Sequence, residues 1–202
     1  KLSKNVKLHF IDHHLSHLAS AFYPSTFNKA IGLSVDGFGD FCSVAIAKCE
    51  KKDIKIIDRI YFPHSLGVFY EAFTQFLGFK NYGDEYKVMG LSSYGSPEYY
   101  DEILNNFFNN KNKLNLNLNY FKHTGKDFKY KFKGSPHQSK LFNNAAISKL
   151  SFFKDKKNKN IASSVQKVFE HKLLNIVNKI KNLKFSNNLV YSGGCALNSL
   201  AN

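Results

Sequence analysis

A long amphipathic segment near the end of the sequence constrains the fold more than any other feature. Apolar side chains recur there every three or four positions over about six helical turns: Ile161, Val165, Val168, Phe169, Leu173, Ile176, Val177 and Ile180. This stripe predicts a helix with one buried face and with Asn160 as its N-cap. An apolar strand at 189–191, the pair Gly193–Gly194 and a second helix beginning near Cys195 are predicted to follow. A buried helix that leads into a buried strand predicts an α/β fold.

Alternating and periodic segments add further strands and helices. Strands are predicted over 5–12, 30–35, 41–49 and 54–62. The last three are predicted to be antiparallel neighbours because only short turns separate them. Helices are predicted over 14–23, 66–77, 84–94 and 98–108, and Ser65 and Gly78 are the predicted N-cap and end of the second. A hairpin is predicted from 114–120 and 128–132, whereas 133–159 has no assignable pattern.

The chain is strongly basic, with 29 Lys and Arg against 15 Asp and Glu and a net charge of +14. Such a charge ordinarily indicates a nucleic acid or an anionic membrane as partner. Arg59, however, is the only arginine in the sequence, and arginine is the residue that makes bidentate contacts with phosphates and bases. We therefore interpret the charge as a compositional bias and expect no specific nucleic-acid partner.

Cysteine usage and the absence of long apolar segments bear on the compartment. Cys42, Cys49 and Cys195 are odd in number and form no Cys-x-x-Cys pair, which indicates a reducing cytoplasm. No segment approaches the ~20 apolar residues of a membrane-spanning helix, so no membrane is predicted as a partner. Because the sequence begins at Lys1 and ends at Asn202 inside an apolar segment, we expect it to be part of a longer protein.

Three histidines lie at the start of the first predicted helix. His13 and His17 are four residues apart, so on a helix both imidazoles face the same way and suit two ligands of one divalent ion. Asp12 is a candidate for the partner that holds one imidazole tautomer, and His14 is predicted to point elsewhere. A packed surface without a metal remains the alternative interpretation.

Other candidate site residues follow predicted strands. Asp36 ends a hydrophobic strand in a glycine turn, where its carboxylate suits a metal or a nucleotide, or simply forms the turn. Gly193–Gly194 would bring backbone amides close to a phosphate, with Asn198 one turn further on to meet a ribose or base, or would form a turn that binds no ligand. Lys87 is a candidate anion contact, although a solvated lysine beside two acids is an equal alternative. The sequence contains no Gly-x-Ser-x-Gly elbow, Walker loop or paired-cysteine zinc site.

Four stretches together resemble the carbamoyltransferase family of nodulation-factor and antibiotic O-carbamoylating enzymes. They are DHHLSHLASAFYPS from Asp12, VDGFGD from Val35, LGFKNYGDEYKVMGLSSYG from Leu77 and YSGGCALNSLAN from Tyr191. The resemblance implies an actin-like ATPase superfamily fold with ribonuclease-H-like halves, of which only part is present. It implies a first half at about 1–100, an irregular insertion at about 109–160 and the start of a second half at about 160–202.

The resemblance also implies an activity and a set of ligands. Enzymes of this family pass a carbamoyl group, made from carbamoyl phosphate and ATP as carbamoyl-adenylate, to a hydroxyl of a small molecule or saccharide. His13, His17 and Asp36 would be catalytic as ligands of a divalent metal, for which iron is implied, with a fourth ligand beyond Asn202. The nucleotide would meet Gly193, Gly194, Asn198 and Lys87. This part of the protein is expected to be inactive alone.

Two alternatives remain at this point. A tRNA threonylcarbamoyl transferase, related by fold, would suit the basic charge, but the DGFGD and DEYKVMGLSSYG stretches match the O-carbamoyltransferase pattern better. A basic nucleic-acid-binding module would need clustered arginines or stacking aromatics on a basic face, whereas the aromatic residues here fall at core spacings. The acceptor, the identity of the metal and the oligomeric state are not predicted.

Overall fold

The chain folds around one four-stranded sheet. A computed structural model describes residues 6–81, 83–125, 140–151 and 158–202. The strands are β1 (Lys29–Gly39), β2 (Cys42–Glu50), β3 (Asp53–Tyr61) and β4 (Leu189–Ser192), in the order β3-β2-β1-β4. β1, β2 and β3 are antiparallel neighbours, as predicted, and β4 pairs in parallel with β1. The α/β class predicted from the sequence is confirmed.

Helices cover both faces of this sheet. They are α1 (His13–Phe22), α2 (Leu66–Phe76), α3 (Glu85–Ser92), α4 (Tyr100–Phe107), α5 (Asn144–Leu150) and α6 (Asn158–Lys181). Leu18 and Phe22 of α1 pack on one face, among small residues such as Ala45 and Ala47. α2 and α6 belong to the larger core on the other face, together with β1 side chains such as Leu33. Burial on both faces explains why β1 and β2 are almost wholly apolar rather than alternating.

The predicted ends of α2 are confirmed by local contacts. The Ser65 hydroxyl accepts a hydrogen bond from the backbone N–H of Val68 at 3.1 Å, which satisfies one free donor of the first turn. Gly78 adopts φ +93°, the left-handed conformation with which helices commonly end.

α6 starts earlier than predicted. Asn160 is its third residue rather than its N-cap, and its side chain instead accepts a hydrogen bond from the backbone N–H of Ser96 at 3.0 Å.

Three other predicted elements differ from the structure, and part of one lies outside the described residues. Residues 6–12 form no strand, because no described strand pairs with them, and Phe10 is 95% exposed. Residues 114–120 hold a short 3-10 turn, Leu118–Tyr120, and an isolated bridge rather than a strand, while 128–132 lies outside the described residues. The helix predicted near Cys195 is a 3-10 turn of four residues, Gly194–Leu197.

The described residues from both ends of the sequence share one core. β4 pairs with β1 from Ile31↔Leu189 to Ser34↔Ser192. Side chains of α6 pack in the same apolar cluster as those of α2 and α4. Among the described helices, none is long and apolar enough to cross a membrane.

Lys172 is a buried cation in the middle of α6, with 1% of its surface exposed. Its ammonium donates to the backbone carbonyls of Asn110, Lys111 and Lys113 at 2.7, 3.0 and 3.0 Å, and it lies over the ring of Phe108. The three N–H groups of the ammonium are thus matched by three carbonyls, and the loop after α4 is fixed to α6.

We expect Lys172→Met to lower the free energy of unfolding by about 2–4 kcal/mol, because three carbonyls lose a charged donor in a buried site. Lys167→Met is the matched control, since Lys167 is exposed on the same helix. Urea denaturation of the full-length protein measures both variants. Equal stabilities of the two variants would contradict this role of Lys172.

A second prediction concerns acid stability. His123 is 95% buried, its Nε2 donates to the carbonyl of Pro63 at 2.8 Å, and its Nδ1 has no hydrogen-bond partner. Burial lowers the pKa of His123 below the ordinary 6.5, so the imidazole stays neutral in the folded state. The unfolded state then binds more protons below pH 6.5, and stability falls as the pH decreases through that value.

The His123→Gln variant keeps a donor for the Pro63 carbonyl but does not titrate. Between about pH 7.5 and about pH 5.5, we expect the parent to lose on the order of 1 kcal/mol more unfolding free energy than this variant. Urea denaturation at the two pH values provides the measurement. Parallel pH dependences would show that His123 titrates alike in the folded and unfolded states.

Candidate metal centre

Two histidines of α1 and one aspartate of β1 converge at one end of the sheet. The Nε2 atoms of His13 and His17 each lie 2.9 Å from Oδ2 of Asp36, and 3.0 Å from one another. Within the described residues, this is the one group of three or more such side chains whose geometry suits a metal ion. The three side chains are between 21% and 37% exposed, so the group is open to solvent on one side.

These three contacts are not satisfied by hydrogen bonds alone. If both imidazoles donate to Asp36, neither has a lone pair for the contact between the two Nε2 atoms. If one imidazole donates to the other, it no longer donates to Asp36. At most two of the three contacts are therefore hydrogen bonds, and the third brings two like groups together. A cation shared by the three atoms would make all of them favourable.

The donor set and spacing fit a divalent transition metal. Ligands of one metal at ~2.0–2.2 Å and at right angles lie about 3 Å apart, which matches the observed separations. Two imidazoles and one carboxylate on one side of an ion, with other positions open, is an arrangement typical of non-haem iron. The side chains that fit such a metal ion are those of His13, His17 and Asp36.

The start of α1 is held in place by two carboxylates and one guanidinium. Asp12 accepts from the backbone N–H of Leu15 at 2.8 Å and from Arg59 at 2.9 Å, and Asp40 accepts from the backbone N–H of His13 at 2.8 Å. Asp12 is therefore the N-cap of α1. Its predicted role in holding a histidine tautomer is wrong, because the hydrogen bonds of its carboxylate go to Leu15 and Arg59 and neither goes to an imidazole.

His14 points away from the cluster, as predicted, and anchors α1 to the sheet. It is fully buried, its Nε2 donates to the carbonyl of Cys42 at 2.9 Å, and its Nδ1 accepts from the Ser34 hydroxyl at 2.8 Å. Burial lowers the pKa of His14, which agrees with a neutral ring in this arrangement. The position of His14 thus determines which side of α1 faces Asp36.

Asp36 has a separate partner for each carboxylate oxygen. Oδ1 accepts from the backbone N–H of Gly37 at 2.7 Å, and Oδ2 faces the two histidines. Burial by itself would raise the pKa of Asp36, but the hydrogen bonds from His13, Gly37 and His17 outweigh it and hold the pKa below its ordinary value. The carboxylate is consequently ionised at neutral pH.

The Gly193–Gly194 turn lies directly beside Asp36. A Cβ on Gly193, which has φ +91°, would lie 2.3 Å from the carbonyl oxygen of Val35. A Cβ on Gly194 would lie 2.8 Å from Oδ1 of Asp36. Close packing against β1 therefore requires both glycines, whether or not a phosphate binds there.

The structure does not bring Asn198 or Lys87 into contact with this cluster. Asn198 and Gln166 exchange two hydrogen bonds through their side-chain amides, at 2.9 and 3.0 Å, in a buried position. The Lys87 ammonium lies 2.6 Å from Oδ1 of Asp84, and this pairing raises the pKa of Lys87. Both side chains have protein partners in this conformation.

Several residues that shape the site were missed in the sequence. Arg59 was noted only as a lone arginine, and nothing in its spacing indicates the contact with Asp12. Asp40 and Ser34 form hydrogen bonds with residues of α1 that lie 20 or more positions away in the sequence. Gly39 lies under the ring of His13, where a Cβ would come within 2.0 Å of Cδ2. The glycines of the DGFGD stretch are the signal that could have indicated this close approach.

Comparison with known proteins identifies a family. A family model described as "Carbamoyltransferase N-terminus" matches residues 1–202. The uncharacterized protein sll1178 of Synechocystis is 38% identical over 201 residues, which cover 96% of this chain. The uncharacterized protein MJ1051 of Methanocaldococcus jannaschii is 30% identical over 194 residues, and the nodulation protein NolNO of Sinorhizobium fredii is 37% identical over 102 residues, or 50% of this chain.

The matched region is a minor part of each relative. This chain covers 31% of the Synechocystis protein, 35% of the Methanocaldococcus protein and 15% of NolNO. The chain therefore spans about a third or less of the length of these relatives.

The packing of His13 on Gly39 gives a test of the site's geometry. Gly39→Ala would force the imidazole away from Asp36, whereas Gly90→Ala is the control because a Cβ on Gly90 of α3 meets nothing within 4 Å. We expect Gly39→Ala to change the ¹⁵N chemical shifts of the His13 ring and to lower unfolding free energy by about 1–3 kcal/mol. Unchanged His13 shifts in Gly39→Ala, measured by imidazole ¹H–¹⁵N correlation spectra, would contradict the observed packing.

Proposed function

The chain belongs to the carbamoyltransferase family, whose N-terminal region it represents, and we propose that the protein passes a carbamoyl group to a hydroxyl acceptor. In this proposal, His13, His17 and Asp36 hold a divalent metal, and iron is the metal that we infer. The observation that carries the proposal is the convergence of two imidazole nitrogens and one carboxylate oxygen within 3.0 Å of one another.

We further propose that the sheet is part of an actin-like ATPase fold. Support comes from its order, in which three antiparallel strands are followed, after several helices, by a strand parallel to the first. The carbamoyl donor in this proposal is carbamoyl-adenylate, made from carbamoyl phosphate and ATP. Gly193 and Gly194 support its place because their turn lies against Asp36. Asn198 and Lys87 would have to exchange their present partners to contact it.

The proposed reaction is a substitution at the carbamoyl carbon. The acceptor oxygen forms a bond to that carbon, the bond from that carbon to the phosphate oxygen of the adenylate breaks, AMP leaves, and the hydroxyl proton passes to solvent. A divalent cation, when bound, would supply Lewis acidity toward the carbamoyl oxygen. The chain's own contribution is to hold Asp36 ionised and both Nε2 atoms directed at one point, which limits reorganisation on binding.

The three unpaired, buried cysteines support a cytoplasmic location.

Removal of a ligand tests the metal site directly. In the full-length protein, we expect His13→Ala, His17→Ala and Asp36→Asn to weaken metal affinity by on the order of 100-fold or more, because even the loss of outer partners costs 10–100-fold. His9→Ala is the matched control, since His9 is exposed on the segment before α1. Elemental analysis and titration of the metal-free protein measure the effect. Equal metal content in all four variants would place the metal elsewhere.

The activity is tested with ATP, carbamoyl phosphate and a panel of hydroxyl compounds, with transfer RNA included as one acceptor. We expect AMP release that depends on carbamoyl phosphate, together with a small-molecule or saccharide product whose mass has increased by one carbamoyl group. The Asp36→Asn variant should yield neither. A parallel assay adds L-threonine and bicarbonate, and formation of threonylcarbamoyladenosine in transfer RNA, without a carbamoylated small molecule in the first assay, would favour the threonylcarbamoyl transferase alternative instead.

A further inference from the structure

Residues 36–38, which include Asp36, have no paired residue in either of the two ladders that β1 forms. The ladder between β1 and β2 pairs Val35 with Val44 and then resumes at Gly39, so residues 36–38 are passed over. On the other side of β1, the ladder with β4 ends at Ser34. The carboxylate on which the proposed metal site depends therefore projects from a segment outside both ladders.

The first turn of α2 takes the place of a neighbouring strand. The hydroxyl of Ser65, which is fully buried, lies 2.6 Å from the carbonyl oxygen of Gly37 and 3.1 Å from that of Asp36. The same oxygen accepts the hydrogen bond from Val68 that caps α2. A hydroxyl has one hydrogen to donate, so Ser65 donates to one of these carbonyls at a time while it caps the helix.

Gly67 brings α2 against the same backbone. A Cβ on Gly67 would lie 2.7 Å from the nitrogen and 2.8 Å from the Cα of Gly37. These atoms are backbone and cannot swing aside, in contrast to the end of a flexible side chain. Any side chain at position 67 would therefore displace either the start of α2 or the Asp36–Gly37 peptide.

These contacts reach the carboxylate through one peptide unit. The N–H of Gly37 holds Oδ1 of Asp36 at 2.7 Å, which leaves Oδ2 for the histidines. The direction of that N–H follows the plane of the peptide between Asp36 and Gly37, and the carbonyl of this peptide is one of the two that Ser65 contacts.

We propose that Ser65 and Gly67 are positioning residues for the metal site: they fix the Asp36–Gly37 peptide and thereby direct Oδ2 of Asp36 at His13 and His17. This inference rests on the proposed function, because it assumes that the three side chains bind a metal. It predicts that loss of the Ser65 hydroxyl weakens metal binding beyond what the loss of a helix cap explains.

The test uses Co²⁺ titration of the metal-free, full-length protein, because Co²⁺ absorption bands report the geometry of its ligands. Ser65→Ala is paired with Asn143→Ala, which removes the N-cap of α5 without contact with the site. Gly67→Ala is paired with Gly90→Ala, since a Cβ on Gly90 of α3 meets nothing within 4 Å. The His13→Ala variant identifies which bands belong to the site.

We expect Ser65→Ala and Gly67→Ala to weaken Co²⁺ affinity by about 10-fold to 100-fold and to change the absorption bands. The controls should stay within about twofold of the parent in affinity, although Asn143→Ala should lower Tm about as much as Ser65→Ala does. If the parent binds Co²⁺ and both site variants match their controls, the positioning role is wrong. If the His13→Ala variant binds Co²⁺ with the same affinity and absorption bands as the parent, the proposed metal site itself is wrong.

Discussion

The approach of two imidazole nitrogens to a single oxygen of Asp36 is the interaction on which the rest of the site depends. The three contacts among these atoms, at 2.9–3.0 Å, would need three hydrogen bonds, but the two Nε2 atoms supply at most two hydrogens. The arrangement is therefore favourable only with a shared cation or under constraint from the fold. The fold supplies that constraint from both faces of the sheet. α1 carries the histidines on one face, and α2 holds the backbone of Asp36 from the other.

Small residues allow these elements to come together at the end of β1. Gly39 makes room for the ring of His13, and Gly67 lets α2 touch the peptide after Asp36. Gly194 admits the turn after β4 beside the carboxylate itself. Each of these glycines removes a Cβ that would separate two parts of the site. The dense packing explains why a partly exposed cluster is nevertheless directed at one point.

Much of this architecture was predictable from the sequence, because the strongest signals are local. The periodicity of α6, the antiparallel strands and the cap at Ser65 depend on residues a few positions apart. His13 and His17 were candidate ligands from their helical spacing and Asp36 from a predicted strand end in a glycine turn, and the family resemblance joined the three in one ligand set. The contacts that orient them were not, because Arg59 with Asp12, and Ser65 with Gly37, join residues 28 or more positions apart. The strand predicted at 5–12 was wrong because alternation indicates a strand only where a partner is available to pair with it.

The proposal that His13, His17 and Asp36 bind one metal ion can be tested by X-ray absorption at the metal edge, on the full-length protein loaded with iron. We predict scattering from two imidazoles at about 2.0–2.2 Å, which falls to one imidazole in His17→Ala. A spectrum of the parent without imidazole scattering, or one that His17→Ala leaves unchanged, would contradict the claim.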